Sequence, residues 1–285
     1  MAQAGMQELL KKTLAENKDI VPSDPLFLHN GELYPTMICC PETLKILDTF
    51  ETRSDDVILV GYPKTGTNWV GQILVELEAA SGKYDEEERR KRSMRQRERE
   101  LSLFPYLEFG DPAKFEILVL FRNPKDTAVS YLHFANGLKL LPTPKTWDEF
   151  FSDFIKGKVP WGLYLDHIIE WNKYLDDKNV MFITYEQIKE NAALEIKRMA
   201  EFFDFTVNEQ EIQSIVEKTS FKTMKDEASE TNEGIGKFLF RKGVVGDWKN
   251  VFSEDQNKEM DRKFEESVAK TKLGMMMKYD VYCQY

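Results

Sequence analysis

Three short apolar runs without polar alternation mark out this chain. They are Val57–Val60, Ile117–Leu120 and Val180–Tyr185. Runs of this length predict strands that are buried on both faces of a sheet. Because helical patterns follow each run, the alternation predicts an α/β fold with a parallel sheet flanked by helices.

Apolar residues at three- and four-residue spacing predict the helices. They begin near Thr67, after Pro124 and after Tyr185, and further helices are predicted at Met6–Leu14, Pro41–Phe50, Thr143–Phe154, Trp161–Leu175, Glu209–Val216 and Gln256–Val268. The rest is predicted to be irregular. Leu26–Pro41 is expected to be a surface connection, with a binding loop as the alternative. Tyr84–Leu101 is expected to be a charged helix or mobile segment, and residues 222–237 a mobile lid or unstructured loop.

Composition narrows the class of protein. The 285 residues, 42% of them hydrophobic, suffice for one domain spanning the whole chain, residues 1–285. A net charge of −10 argues against nucleic acid as a partner, so any polyanion must bind a local basic pocket. No apolar stretch approaches the roughly 18 residues of a membrane span, and no signal-peptide core is present, so we expect a cytoplasmic protein without membrane contact. The three cysteines suggest neither a disulfide framework nor a metal site.

The first apolar run leads directly into a candidate phosphate-binding loop. Gly61–Gly66 joins the strand to the helix near Thr67. A helix N-terminus with convergent N–H groups attracts anions, and Lys64 adds a positive charge. The lysine precedes the second glycine, so the loop is not the Walker A loop of a P-loop kinase. By itself the loop could equally be an ordinary strand-to-helix turn with an exposed lysine.

Two further segments carry candidate phosphate ligands. Arg122 follows the second apolar run, at the end of a parallel strand where open α/β sheets bind ligands, and Ser130 lies in the next helix. Near the C-terminus, Phe240 is followed by Arg241, Lys242 and Gly243, which could bring charges and backbone donors onto one phosphate. The plainer alternatives are a surface arginine and a solvated turn.

Four segments together resemble the cytosolic sulfotransferases, in the same order. They read YPKTGTNW, FRNPKDTAVSYLHF, TSF followed by Met224, and FRKGVVGDWKN. The LFRKG stretch and the YCQ ending are most similar to the 6B branch of that family.

The resemblance implies transfer of a sulfuryl group from 3′-phosphoadenosine 5′-phosphosulfate (PAPS) to a hydroxyl or amine of a small molecule, such as a phenol, an alcohol, an amine or an iodothyronine-like compound. It implies no metal. By resemblance, Lys64, Thr65, Gly66, Thr67 and Asn68 hold the 5′-phosphosulfate, and Trp69, Tyr185, Thr219, Phe221 and Met224 surround the adenine. Arg122, Ser130, Arg241, Lys242 and Gly243 match the 3′-phosphate clamp, and Phe240 is a further cofactor-binding residue. Lys64 and Ser130 are also the catalytic candidates, since Ser130 steers the lysine in that family.

One departure from the family concerns catalysis. The family's catalytic histidine stands in a Thr-His-Leu-type stretch that this chain lacks, and its histidines are only His29, His133 and His167. The family's strand and following loop are missing after about Phe115, so we expect an internal deletion. The competing interpretation is therefore a catalytically impaired protein that binds PAPS or its desulfonated product.

A second departure concerns assembly. The family's C-terminal dimer motif is matched by Lys249, Ser253 and Glu254, but Lys258 stands where an acid is expected. The altered motif puts dimerisation by that route in doubt, so the sequence leaves open whether the protein is a homodimer.

Overall fold

The computed structural model describes residues 25–36, 39, 41, 44–45, 57–82, 116–137, 141–144, 146–231 and 240–284. Two sheets lie in this part of the chain. A hairpin pairs β1 (Leu26–His29) with β2 (Glu32–Pro35), and the central sheet contains β3 (Val57–Gly61), β4 (Glu116–Phe121) and β5 (Val180–Thr184).

The central sheet is parallel, in the order β3-β4-β5. Leu118 of β4 lies opposite Leu59 of β3 and opposite Met181 of β5. All three strands therefore end at the same edge of the sheet, where residues 62–66, 122–123 and 185 continue the chain.

Alternate residues of β4 enter two different cores. Val119 and Phe121 belong to one buried cluster, whereas Leu118 and Leu120 belong to the other. Because side chains alternate across a strand, these clusters lie on opposite faces of the sheet. Helices cover both faces of β4 and β5, which are buried apart from Glu116, and this explains why these two strands read as continuous apolar runs. The prediction that the first run is a buried strand is only partly right, because in β3 Ile58 alone is buried and Val57 is exposed.

Eleven α-helices and one 3₁₀ helix are assigned in the described residues. The α-helices are α1 (Thr67–Ala80), α2 (Pro124–Gly137), α3 (Trp147–Phe154), α4 (Tyr164–Asn172), α5 (Tyr185–Glu190), α6 (Ala192–Phe202), α7 (Glu209–Lys218), α8 (Phe221–Thr231), α9 (Glu254–Ser267), α10 (Lys272–Met276) and α11 (Tyr279–Tyr282), and the 3₁₀ helix is Asp247–Asn250. The α/β class with a parallel, helix-flanked sheet is confirmed.

Three sequence predictions need correction. The segment Leu26–Pro35 forms the β1–β2 hairpin. The main-chain hydrogen bonds of this hairpin cannot be recognised from the pattern of apolar residues. Residues 222–231 of the predicted lid continue α8, because Met224 and Ala228, four residues apart, bury one side of a helix. Helix α3 begins at Trp147, after Thr146 caps its N-terminus by accepting a hydrogen bond from the Glu149 N–H.

Other predictions fall outside the described residues. These are the Met6–Leu14 helix, most of the Pro41–Phe50 helix, the charged segment Tyr84–Leu101 and lid residues 232–237. Among the described helices, none is both long and apolar enough to cross a membrane.

Candidate functional site

The loop after β3 folds tightly into the N-terminus of α1. Lys64 adopts a left-handed backbone with φ 72°, which is uncommon for a residue with a side chain, and Gly66 has φ 114°. The buried Thr65 hydroxyl donates to the Tyr62 carbonyl oxygen at 2.8 Å, so it stabilises the turn. Helix α1 has no side-chain cap and no acid in its first turn. Its N-terminal dipole therefore favours an anion.

Both glycines of this loop are required by close packing. A Cβ at Gly61 would lie 2.8 Å from Thr65 Oγ1 and 2.9 Å from Thr67 Oγ1. A Cβ at Gly66 would lie 3.0 Å from the Tyr185 ring. The loop thus folds back on β3 and meets the residue that follows β5.

Uncharged contacts of Tyr62 hold the Lys64 loop in place. The Tyr62 hydroxyl donates to the Gly162 carbonyl oxygen at 2.8 Å. The Tyr62 ring centroid lies 4.8 Å from that of Tyr164 and 6.0 Å from that of His167. Burial lowers the pKa of His167 to about 4, so this imidazole is neutral at pH 7.

Arg122 connects the loop after β3 to the basic segment near the C-terminus. Its main chain is fixed by Tyr164, whose hydroxyl donates to the Arg122 carbonyl oxygen at 2.6 Å and accepts the Arg122 N–H at 3.0 Å. Its guanidinium donates to the Lys64 carbonyl oxygen at 3.4 Å and to the Val244 carbonyl oxygen at 3.0 Å. The same group lies 4.3 Å from the Tyr185 ring centroid. Arg122 thus touches three parts of the predicted site.

Two buried nitrogen atoms at this place have no hydrogen-bond partner among the described residues. They are Nε of Arg122 and Nε1 of Trp69. The Trp69 ring lies edge-on to Tyr185 at 5.3 Å between centroids, and Tyr185 also faces Arg122. A buried donor without a partner is costly, and a ligand with acceptor groups would relieve that cost.

The basic segment carries its own counter-ion. Arg241 Nη2 and Lys242 Nζ each lie 2.6 Å from a carboxylate oxygen of Asp247. Burial raises the pKa of Asp247, but hydrogen bonds from Lys242, Arg241 and Asn250 outweigh it and leave the pKa at about 2. The carboxylate is therefore ionised at neutral pH and holds both cations in place.

Helix α8 lies against the same segment. A Cβ at Gly243 would come within 2.2 Å of the Phe221 ring, so only glycine allows this approach. The Phe240 ring lies 6.4 Å from the Phe221 ring, between centroids. Phe221, Phe240 and Gly243 therefore lie together, and their contacts with a ligand stay predictions.

Lys64 experiences a different electrostatic environment. Burial lowers its pKa, and the positive charges of Arg122 and Arg241 lower it further, to about 7. Its Nζ lies 4.7 Å from the centroid of the Phe134 ring on α2. Lys64 therefore loses its proton more readily than an exposed lysine, and a bound anion would favour the charged form.

The remaining predicted site residues differ in what they can offer. Thr219 is buried, and its hydroxyl donates to the Ile215 carbonyl oxygen at 2.8 Å, while Met224 is buried on α8. Thr67 and Asn68, at the start of α1, are half-buried, and so is Ser130 on α2. Their contacts with a ligand stay predictions.

The structure places the three histidines in different surroundings. The His29 ring lies 6.1 Å from that of Tyr34 in the β1–β2 hairpin, and His167 lies among Tyr62, Tyr164 and Phe121. Burial and the charge of Arg241 lower the pKa of the exposed His133, which lies on the side of the basic segment. That no histidine here replaces the family's catalytic base stays a prediction.

Sequence reasoning missed the acids of this site. Asp126 and Asp247 contact the predicted cations, and Glu186 Oε1 accepts the Asn123 N–H at 3.0 Å, directly after Arg122. One signal was available: Asp126 stands four residues after Arg122, the spacing of a helical ion pair. The described residues contain no group of three or more His, Cys, Asp or Glu side chains placed to bind a metal.

Comparison with known proteins identifies the class. The sulfotransferase domain family matches residues 54–111 and 109–272. The human protein Sulfotransferase 6B1 is 42% identical over 307 aligned positions that cover 97% of each chain, and its mouse counterpart is 42% identical over 306 positions with the same coverage. This chain belongs to the cytosolic sulfotransferase family, in its 6B branch.

A solved structure agrees with the fold. The crystal structure of mouse sulfotransferase SULT7A1 complexed with PAP has a TM-score of 0.73 and 29% sequence identity. It covers 90% of this chain, and this chain covers 99% of it.

Proposed function

We propose that this chain binds PAPS and transfers its sulfuryl group to a hydroxyl or amine of a small molecule. The observation that supports this most directly is the clustering of Lys64, Arg122, Arg241 and Lys242 at the end of the central sheet, beside the uncapped N-terminus of α1. Four cations and a helix N-terminus match a ligand with several phosphate or sulfate groups.

The two parts of this cluster would hold the two ends of the donor. We assign the 5′-phosphosulfate to Lys64 and the N-terminus of α1, and the 3′-phosphate to Arg122, Arg241 and Lys242. Trp69 and Tyr185, whose ring centroids are 5.3 Å apart, offer aromatic surface for the adenine, and Trp69 Nε1 offers a hydrogen-bond donor. The mouse SULT7A1 complex with PAP supports this assignment.

The bound donor supplies an activated sulfuryl group, and the chain supplies position and charge. When the sulfuryl group passes to the acceptor oxygen or nitrogen, the bond to the 5′-phosphate breaks and negative charge develops on that phosphate. Lys64, charged by the anion beside it, would stabilise this charge, which is where a positioned cation lowers the barrier. The acceptor must also lose a proton, and the sequence lacks the family's histidine for that step.

We further propose that the chain has an internal deletion relative to the full family domain. Two findings support it. The family match is split into two ranges that overlap at residues 109–111. The alignment with the human relative has 307 positions, which exceeds the 285 residues of this chain by 22, so at least that many positions lie opposite a gap here.

The deletion favours a second candidate function, a PAPS- or PAP-binding protein with impaired catalysis. A general base contributes about 10²- to 10⁴-fold to a rate, so its loss alone can make transfer slow. In either case we expect a small-molecule acceptor site, and membership of the cytosolic family supports a cytoplasmic location.

One experiment on purified protein separates these functions. We expect the Tm to rise when 3′-phosphoadenosine 5′-phosphate (PAP) is added, because a ligand that binds only the folded state stabilises it. Sulfate transfer from PAPS to a panel of phenols, alcohols and amines is then measured. Stabilisation with transfer supports the enzyme, stabilisation without transfer supports the impaired binder, and absence of both contradicts the proposed donor site.

A further inference from the structure

Asp126 joins the two halves of the basic cluster through the main chain. Its Oδ2 accepts the Gly246 N–H at 2.7 Å, and its Oδ1 accepts the Trp248 N–H at 3.0 Å. The side chain is 1% exposed. A buried carboxylate that receives two main-chain N–H groups is a strong, charge-assisted contact.

The orientation of this carboxylate is itself fixed. The side-chain amide of Asn123 donates to Asp126 Oδ2 at 2.9 Å, and the Asp126 N–H donates to Asn123 Oδ1 at 2.8 Å. Arg122 Nη2 lies 3.8 Å from the same Oδ2. Asp126 therefore cannot turn away from the Gly246 and Trp248 amides without breaking bonds at the end of β4.

The position of the Arg241–Asp247 segment depends on these bonds. Arg241 and Lys242 pair with Asp247, which lies between the two residues whose N–H groups Asp126 accepts. On the other side, Arg122 stands four residues before Asp126 and donates to the Val244 carbonyl oxygen. Asp126 thus sets the distance between the cation at the end of β4 and the two cations of the segment.

We propose that Asp126 is a positioning residue for recognition of the donor's 3′-phosphate. The proposal rests on the donor site proposed above. Asp126 acts through Arg122, Arg241 and Lys242, and it does not itself touch the phosphate, which its negative charge would repel. A purely structural role would weaken every ligand equally, whereas this role weakens only ligands that carry a 3′-phosphate.

Two nucleotides distinguish these roles. Adenosine 3′,5′-bisphosphate (PAP) requires both ends of the site, whereas adenosine 5′-monophosphate requires only the Lys64 loop and the adenine surface. The ratio of their affinities therefore measures the 3′-phosphate contribution alone. We would measure both dissociation constants by calorimetry for the wild-type chain and for Asp126→Asn.

Asparagine keeps one acceptor oxygen but places an NH₂ group against one of the two main-chain donors. We expect the affinity ratio to fall about tenfold, mainly through weaker binding of the bisphosphate, since a hydrogen bond to a charged group contributes about that much. Asp126→Glu, which retains the carboxylate, should recover part of the ratio.

Asp261→Asn provides a matched control. Asp261 also binds the start of α2, with its Oδ1 at 2.5 Å from Lys125 Nζ, but it belongs to α9 and lies outside the 241–247 segment. We expect the ratio of the two nucleotide affinities in Asp261→Asn to equal that of the wild type, even if the Tm of this variant falls.

The outcomes are distinct. An unchanged ratio in a folded Asp126→Asn variant, or an equal loss for both nucleotides, overturns the proposal. If Asp126→Asn does not fold, the same ratio is measured for Asn123→Ser, which frees the carboxylate to rotate, and an unchanged ratio there overturns it. Failure of the wild-type chain to prefer the bisphosphate contradicts the donor site itself.

Discussion

Two basic regions meet at the end of the central sheet, and they are held in opposite ways. The loop with Lys64 rests on Tyr62, Tyr164 and the neutral His167, and its lysine has a pKa of about 7. The segment with Arg241 and Lys242 is held by two carboxylates: Asp247 pairs with both cations, and Asp126 accepts the Gly246 N–H.

The difference indicates a division of roles. A cation with a counter-ion keeps its charge and position before the ligand arrives, which suits recognition. A lysine whose pKa is lowered by burial and by two nearby arginines becomes more fully charged beside an anion, which suits a group that responds to the reacting phosphate.

The largest effect is expected for Lys64→Ala. If Lys64 stabilises charge that develops during transfer, its loss should lower kcat about 10³-fold and change PAP affinity much less, because the other cations still hold the 3′-phosphate. Steady-state kinetics and calorimetry measure the two quantities. Lys173→Ala is the control, since Lys173 is an exposed lysine that pairs with Glu170 at the surface. If Lys64→Ala lost PAP affinity and kcat by equal factors, the proposed division of roles between the two basic regions would be contradicted.

Arg241→Ala tests the opposite region. We expect PAP to bind about 10- to 100-fold more weakly, because one charge-assisted contact is lost and Asp247 is left with one partner fewer. At saturating donor, kcat should change less than in Lys64→Ala. Arg262→Ala, which removes a surface pair with Glu266, should bind PAP normally. A normal affinity in Arg241→Ala contradicts the assigned 3′-phosphate site.

The neutral support of the Lys64 loop predicts a pH-dependent stability. The pKa of His167 is about 4 in the folded chain and about 6.5 when unfolded, so the unfolded state binds the proton first as pH falls. The contribution of neutral His167 is fully present above pH 6.5 and is lost between about pH 6.5 and 4, amounting to about 3 kcal/mol at most.

Denaturant unfolding at several pH values measures this loss, with His167→Phe for comparison. The variant should show a flatter dependence in that window, because phenylalanine takes up no proton. Parallel curves for the two proteins would contradict a buried, neutral His167.

The smallest effect concerns proton uptake. Because PAP binding should raise the pKa of Lys64 from about 7, binding above that pH takes up a proton, and affinity should fall as pH rises. We expect about a tenfold loss between pH 7 and 8.5, measured by calorimetry in buffers of different ionisation enthalpy. The dependence should disappear in Lys64→Ala and persist in Arg241→Ala. The same proton uptake in both variants would assign it to another group.

The sequence pattern alone predicted the central sheet and the cations of the candidate site. The apolar runs at Ile117 and Val180 predicted the buried strands of a parallel sheet, because strands covered on both faces admit no polar alternation. The run at Ile58 predicted the third strand but not its partial exposure. The positions of Lys64, Arg122 and Arg241 after strands or beside glycines determined which cations to expect at a phosphate site, and their order carried the family resemblance.

Only the tertiary structure decided how those cations are held. Asp126 meets Gly246 and Trp248 across 120 residues or more of chain, and a contact between such distant residues leaves no periodicity to read. The β1–β2 hairpin and the extent of α8 were likewise settled by main-chain pairing and one-sided burial. The pKa of Lys64 depends on burial and on two arginines distant in sequence, so its charge is a property of the fold and not of the motif.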